Sequence, residues 1–270
     1  MRIFIFAALL MVVACRRPSK QFAATLTPAD QSNSPVQRTK TPITNIADYR
    51  RYLKAGDELV AVGNDPAWSL TINPSKNTLR FKSDQGDSTT IPLPQRLTDS
   101  DGSFRYDAPE GAGRIKILFV PDSCVDKTSG QRYDYRVELD VRGKTYMGCG
   151  VSLRQVALLQ DIWVLTDFQG RMIATNRPQT EIPRVEISLS EGRVTGTTGC
   201  NRLNGRVQAD SRHIQFGPLA TTKMACAGEV GRFEGDFLEA LSRPLTYRIA
   251  EGKLILLHDN KPIMTFKKVD

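Results

Sequence analysis

Histidine and tryptophan are scarce, two of each in 270 residues, and the spaced signatures of the common catalytic frames are missing. There is no G-x-S-x-G nucleophile turn, no phosphate loop ending in Gly-Lys-Ser/Thr and no dinucleotide fingerprint. His213 and His258 fall near an expected turn and at the end of an expected strand, so nothing assembles a Ser-His-Asp system. Carboxylates are plentiful, yet without a frame they single out no glycosidase pair. Asp99-Ser100-Asp101-Gly102 lacks the EF-hand continuation that ends in Glu and reads as a solvated turn. After residue 15 there is no further long apolar run, which leaves no second candidate for a membrane helix.

What is present begins with MRIFIFAALLMVVAC: one Arg, a twelve-residue apolar run from Ile3 to Ala14, then a cysteine. The run is too short to span a bilayer, and a charged start, apolar middle and small-residue end mark an export signal. Val12, Val13, Ala14 and Cys15 resemble a lipobox, in which cleavage precedes a diacylglycerol-linked cysteine. Residues 1–14 are therefore expected to leave as a signal peptide and Cys15 to carry acyl chains into the membrane. Two or three chains give stable anchoring where one does not.

Setting Cys15 aside leaves Cys124, Cys149, Cys200 and Cys226, an even number suited to an oxidising compartment. Three pairings are open. The four fall into two sets in separate halves of the chain, which favours Cys124 with Cys149 and Cys200 with Cys226. Each closed loop of about 25 residues would contribute roughly 3 to 4 kcal/mol in the chain-entropy estimate. Neither set has the close C-x-x-C spacing of a zinc site, and Met224 beside Cys226 would suit copper only if that cysteine were free. No metal and no cofactor is expected.

The net charge of +8 is unevenly spread. Residues 16–45 carry Arg16, Arg17, Lys20, Arg38 and Lys40 against Asp30, whereas residues 46–150 hold 15 basic and 15 acidic side chains and residues 151–270 hold 16 and 13. The basic stretch, rich in Ser, Thr, Pro, Gln and Ala, has no hydrophobic periodicity and reads as a flexible tether. A basic tether beside a lipid anchor favours anionic head groups or wall polymer. Nucleic acid is not expected, because no folded segment carries a strong excess of positive charge.

The remaining 225 residues suit two compact domains, 46–150 and 151–270. Both read as β-rich. Residues 132–142 alternate Tyr133, Tyr135, Val137, Leu139 and Val141 with charged side chains, the period of an antiparallel strand covering a core on one side. Shorter strands are expected at 58–62, 68–72, 78–82 and 114–120, and in the second half at 185–189, 245–249, 253–257 and 263–267. The last three form a meander turning at Glu251-Gly252 and Asp259-Asn260. Val230, Phe233, Phe237, Leu238 and Leu241 share one face at helical spacing, ahead of Pro244. The fold class is mainly β, a β-rich α+β chain: two small antiparallel sandwich or barrel-like domains, the second with one amphipathic helix.

GCNRLNGRV from Gly199, FGPLATTKMAC from Phe216, the FEGDFLEAL helix and the closing strands around Tyr247 and Gly252-Lys253-Leu254 resemble the META domain of HslJ-type bacterial envelope proteins. The resemblance covers most of residues 158–270. It implies a compact antiparallel β-domain with a helix, linked to heat or envelope stress, without an established catalytic activity. Asn201, Arg202, Asn204 and Lys223 lie close to the expected disulfide and are the candidate contact surface, although Gly199 and Gly205 also suit turns and Asn side chains can satisfy local backbone. GNDPAWSL from Gly63, DSCVDKTSGQRYDYRVEL from Asp122 and KTYMGCG from Lys144 are similar to a domain of uncharacterised envelope proteins. That similarity names no chemistry, and Trp68 reads as a core aromatic ahead of a ligand platform.

Together these features point to a non-catalytic envelope lipoprotein, on the outer rather than the inner membrane, that binds an envelope protein or cell-wall partner or supports stress tolerance. The alternatives are a lipid-anchored inhibitor of lysozyme-type wall hydrolases, which the slightly positive domains disfavour, and a hydrolase of wall polymer.

Overall fold

The computed structural model describes residues 46–108, 114–174 and 181–269. The signal segment, Cys15 and the whole of the tether lie outside the described residues. Every strand pairing is antiparallel, as the alternating patterns predict.

The first half comprises α1 (Arg50–Ala55), β1 (Leu59–Asn64), β2 (Ala67–Asn73), β3 (Thr78–Ser83), β4 (Ser88–Pro92), β5 (Arg96–Thr98), β6 (Phe104–Ala108), β7 (Ile115–Val125), β8 (Arg132–Val141) and β9 (Lys144–Ser152). Its strands form one sheet in the order β4-β3-β2-β1-β9-β8-β7-β6-β5. The chain starts at the centre, runs to one edge, crosses to the other and returns, so β1 and β9 become neighbours although they are far apart in sequence. The sheet curls into a half-barrel around a core that includes Trp68, Leu70, Phe81, Phe104, Phe119 and Leu139.

The second half comprises α2 (Arg154–Ala157), β10 (Ile162–Phe168), β11 (Arg171–Met172), β12 (Arg184–Ser188), β13 (Arg193–Thr197), β14 (Arg202–Ala209), β15 (His213–Phe216), β16 (Ala220–Thr221), α3 (Gly228–Leu241), β17 (Leu245–Ala250), β18 (Lys253–His258) and β19 (Lys261–Lys268). Eight of these strands close into a barrel, because β10 pairs both with β12 and with β19, Trp163 facing Lys268 and Leu165 facing Phe266. Eight strands enclose a space that side chains just fill. Trp163, Leu165, Val194, Leu203, Leu254 and Phe266 fill it. Both expected turns of the meander are confirmed: Glu251-Gly252 and Asp259-Asn260 take positive φ at all four residues, the requirement of two-residue hairpin turns that match strand twist.

A closed barrel has two open ends. At one, α3 packs where β10 and β13 finish and β14 begins; Phe168 meets Phe233 and Phe237 at ring separations of 5.3 and 6.3 Å. Phe237, Ala240 and Leu241 are buried there, so the expected apolar stripe is a core face. At the other end sit Leu153, Val156 and Leu159 around α2, with Trp163 Nε1 donating to the Leu159 carbonyl.

The expected line between residues 150 and 151 falls inside β9, whose Val151 and Ser152 still pair with β1, and packing also crosses it. Tyr49 is buried in the barrel's core, and Ala47, Tyr52 and Leu53 pack against that core, as do Val60 of β1 and Val151 of β9. This explains why β1 is buried on both faces: Leu59 and Ala61 serve the half-barrel while Val60 serves the barrel. α1, whose six residues carry no helical stripe, ends in a left-handed Gly56 that caps the Leu53 and Tyr52 carbonyls.

Polar groups also bridge the halves. Ser211 Oγ of the second half donates to Asp134 Oδ1 of the first at 2.8 Å, and within the second half the Tyr247 hydroxyl steadies the neighbouring turn by donating to the Asp210 carbonyl at 2.8 Å. Burial pushes the Asp134 carboxyl up, against the opposing pull of Ser211 and Arg212, with Asp210 adding to the rise. Burial likewise pushes the Tyr133 phenol up to about 12. For an acid raised in the folded state, the stabilising contribution is complete below the unfolded value of 3.8 and is lost as pH rises through the folded value. Asp134→Asn should therefore raise the urea midpoint relative to the parent at pH 7, and the gap should close as pH falls towards 3.8. A lower midpoint at pH 7 would show that attraction to Arg212 outweighs burial.

Candidate functional site

The motifs of each half converge on one disulfide. In the first, Cys124 and Cys149 are bonded with Cα atoms 5.5 Å apart. The indole of Trp68, 4% exposed, lies against Gly63 and Gly148. A Cβ at Gly63 would sit 2.2 Å from Trp68 Nε1, and one at Gly148 would sit 2.1 Å from the Val62 carbonyl oxygen. Trp68 Nε1 donates to the Met147 carbonyl at 3.2 Å, and the ring adjoins Phe81 and Tyr146. Trp68 is thus a core aromatic, held where backbone must approach closely.

Beside it, Asn64 donates to the buried Asp126. The other Asp126 oxygen accepts from Thr128 N at 3.1 Å, Ser129 N at 2.6 Å and Ser129 Oγ at 2.7 Å. Burial pushes this carboxyl up, but the donors from Ser129, Asn64 and Thr128 together hold it below the usual carboxylate range. GNDPAW, DSCVDKTSG and YMGCG are therefore three parts of one structural knot, with Asp126 ordering the turn between β7 and β8. The sequence pointed to Trp68 and missed Asp126, whose local Asp-x-Thr-Ser pattern is the signal for such a turn.

In the second half Cys200 and Cys226 are bonded with Cα atoms 6.2 Å apart. Asn201, 4% exposed, fills the space beneath them. Its Oδ1 accepts from Thr222 Oγ1 at 2.7 Å and Met224 N at 2.8 Å; its Nδ2 donates to Glu234 Oε2 at 3.0 Å and the Met224 carbonyl at 3.3 Å. Thr198 Oγ1 donates to Glu234 Oε1 at 2.8 Å, which ties the β13–β14 loop to α3. Asn201 is thereby removed from the expected contact surface: every polar atom of its side chain is engaged inside the protein, as its short amide suits for loop backbone.

Arg202, Asn204 and Lys223 are exposed. Asn204 lies opposite Thr195 on β13, and two residues along, Arg206 lies directly opposite Arg193. Like charges facing each other across a sheet are unfavourable, and Arg193 finds its counter-ion in Glu191 at 3.1 Å. Arg202, Arg206 and Lys223 form no ion pair among the described residues. On the α3 side of the loop, Ile173, Ile182, Pro183, Thr198, Val230 and Phe233 line a shallow open depression.

The histidines do not come together. His213 Nδ1 lies 3.1 Å from both Asp210 oxygens and His258 Nδ1 lies 3.0 Å from the Pro244 carbonyl. Among the described residues neither imidazole is hydrogen-bonded to a hydroxyl or a thiol. In the Asp99-Ser100-Asp101-Gly102 turn the carboxylates are used locally, Asp99 by Arg105 and Asp101 by Ser103.

A barrel closed by β10 and β19, with a helix across one end and a disulfide loop tied to that helix, is the arrangement in which GCNRLNGRV and KMAC meet. Residues 156–270 match the META domain family model. The chain is also similar to two solved structures: an NMR structure from Burkholderia xenovorans, 29% identical over 42% of this chain and 85% of that one, with a TM-score of 0.33, and a second NMR structure, 20% identical over 41% and 90%, with a TM-score of 0.34. No curated protein matches the chain. Among the described residues no helix is long and apolar enough to cross a membrane.

The knot in the first half is open to a direct test. Gly148→Ala forces a Cβ into the Val62 carbonyl, which is backbone and cannot swing away. It should cost about 2 to 3 kcal/mol, at the upper end of ordinary overpacking, read as a fall in urea midpoint. An unchanged midpoint would mean that the β1–β9 seam yields without cost.

Proposed function

We propose that this chain is a non-catalytic lipoprotein of the bacterial envelope whose META half binds an envelope or wall component through Arg202, Asn204 and Lys223. The observation that carries the reading is the division of labour in the Cys200–Cys226 loop. Asn201, Thr198 and Glu234 are consumed in holding the loop, while Arg202, Asn204 and Lys223 stand exposed beside it. A loop braced by a disulfide and a buried amide presents its outer side chains with little ordering cost on binding. In the Trp68 and Asn201 knots the buried polar groups satisfy one another, which supports a structural rather than a catalytic role. The export signal, the lipobox at Cys15 and the basic tether supply the address, with the membrane as one partner through the acyl chains. Envelope or heat stress tolerance is the physiological setting that the META relationship suggests.

Two measurements test this. Radiolabelled palmitate should enter the parent chain and not Cys15→Ser; equal labelling of both would remove the anchor. Photo-crosslinkers placed at Arg202 and Lys223 in cells should capture one envelope component reproducibly, and capture from Lys223 should fall at least tenfold, on the order of one good charged contact, when Arg202→Glu is introduced. Indiscriminate capture that ignores Arg202→Glu would overturn the contact surface.

A further inference from the structure

We propose that reduction of the Cys200–Cys226 disulfide opens a site for a zinc-type divalent cation, with both thiolates and the Glu234 carboxylate as ligands. One ligand atom from each of these three residues lies within 4.8 Å of the other two, and no other His, Cys, Asp or Glu group among the described residues meets that geometry. In a tetrahedral zinc site, bonds of about 2.0 to 2.3 Å place neighbouring donors roughly 3.3 to 3.8 Å apart. Cys226 Sγ and Glu234 Oε2 are already 3.3 Å apart, and reduction frees the Cys200 sulfur, within 4.8 Å of that carboxylate, to move to its own ligand position.

The carboxylate is held ready. Thr198 Oγ1 fixes Glu234 Oε1 at 2.8 Å and Asn201 Nδ2 fixes Oε2 at 3.0 Å, hydrogen bonds of the kind that orient a metal's ligands from the outer shell. Asn201 Nδ2 also lies 3.1 Å from Cys226 Sγ, where an N–H group favours a thiolate. Three protein ligands leave the fourth position to water or a substrate atom. Two sulfurs select a borderline or soft ion over calcium or magnesium, which take oxygen.

The redox step balances with a dithiol reductant. It supplies two electrons and two protons, the S–S bond breaks to give two thiols, and the reductant closes its own disulfide. Binding of the divalent ion then releases both thiol protons to solvent. The oxidised protein offers no thiolate and is closed to the metal. This accounts for the absence of close C-x-x-C spacing: the third ligand comes from the second turn of α3, and only folding brings it to the cysteines. The Cys124–Cys149 pair gains no third ligand among the described residues, so the two disulfides differ in what their reduction exposes.

The test is titration of the full chain with cobalt(II) under anaerobic conditions, before and after reduction, with far-UV circular dichroism to follow the fold. One equivalent of cobalt should give a sulfur-to-metal charge-transfer band in the reduced protein and none in the oxidised protein. Glu234→Gln, which keeps both cysteines, should weaken binding by at least about tenfold, the loss typical even of an outer-shell partner. Cys124→Ser/Cys149→Ser should retain the band and Cys200→Ser/Cys226→Ser should lose it. The proposal is overturned if the reduced chain loses its β spectrum, if the oxidised chain binds equally, or if Glu234→Gln binds cobalt as the parent does.

Discussion

Closure of β10 onto β19 is the constraint from which the rest of the architecture follows. It joins strands a hundred residues apart in sequence, with Trp163 and Leu165 facing Lys268 and Phe266, and it leaves the second sheet with a filled interior and two ends. Each end exposes apolar side chains that water penalises, so each must be covered. α3 covers one. α1, α2 and the β1–β9 seam cover the other, which is why the half-barrel and the barrel share buried residues and why β1 has no solvent face. The open sheet can remain open because its central strands, rather than its edges, make this contact.

The two disulfide knots solve a second problem common to both halves. Each stands where chain segments distant in sequence must stay together against their own conformational entropy. In each, the covalent link is accompanied by one buried polar side chain that gathers loop donors: Asp126 beside Cys124–Cys149, and Asn201 beside Cys200–Cys226. The carboxylate suits the first because its neighbours are all donors. The amide suits the second because that loop offers both donors and acceptors, including the Glu234 carboxylate.

Much of the framework was legible in the chain itself. Alternation in residues 132–142, the Glu251-Gly252 and Asp259-Asn260 turns and the Val230 to Leu241 stripe are local signals, and each maps onto the observed β8, hairpins and α3. Local signals failed where tertiary contact overrides them. β1 lacks a polar face because two cores claim it; α1 is a six-residue helix whose apolar side, Tyr52 and Leu53 with the preceding Tyr49, is too short to stand out as a repeat; β13 and β14 carry Gly and Asn, residues of low strand preference that their pairing with each other and with β12 and β15 overrides. Asn201 was legible as a notable residue and misplaced on the surface, because spacing in sequence does not say whether an amide points at a partner or at its own loop.

What the sequence by itself determined is the class of chain: β-rich, free of the common catalytic signatures, with two cysteine pairs confined to two halves and a META pattern in the second. Period-two alternation, turn chemistry and cysteine count are properties of neighbouring residues and need no three-dimensional knowledge. Only the tertiary structure decided that one sheet closes and the other does not, that residues 47–53 serve the barrel, and that Glu234 reaches the Cys200–Cys226 pair. Those outcomes depend on which apolar faces remain uncovered after every strand has paired, a sum over the whole chain that no local segment contains.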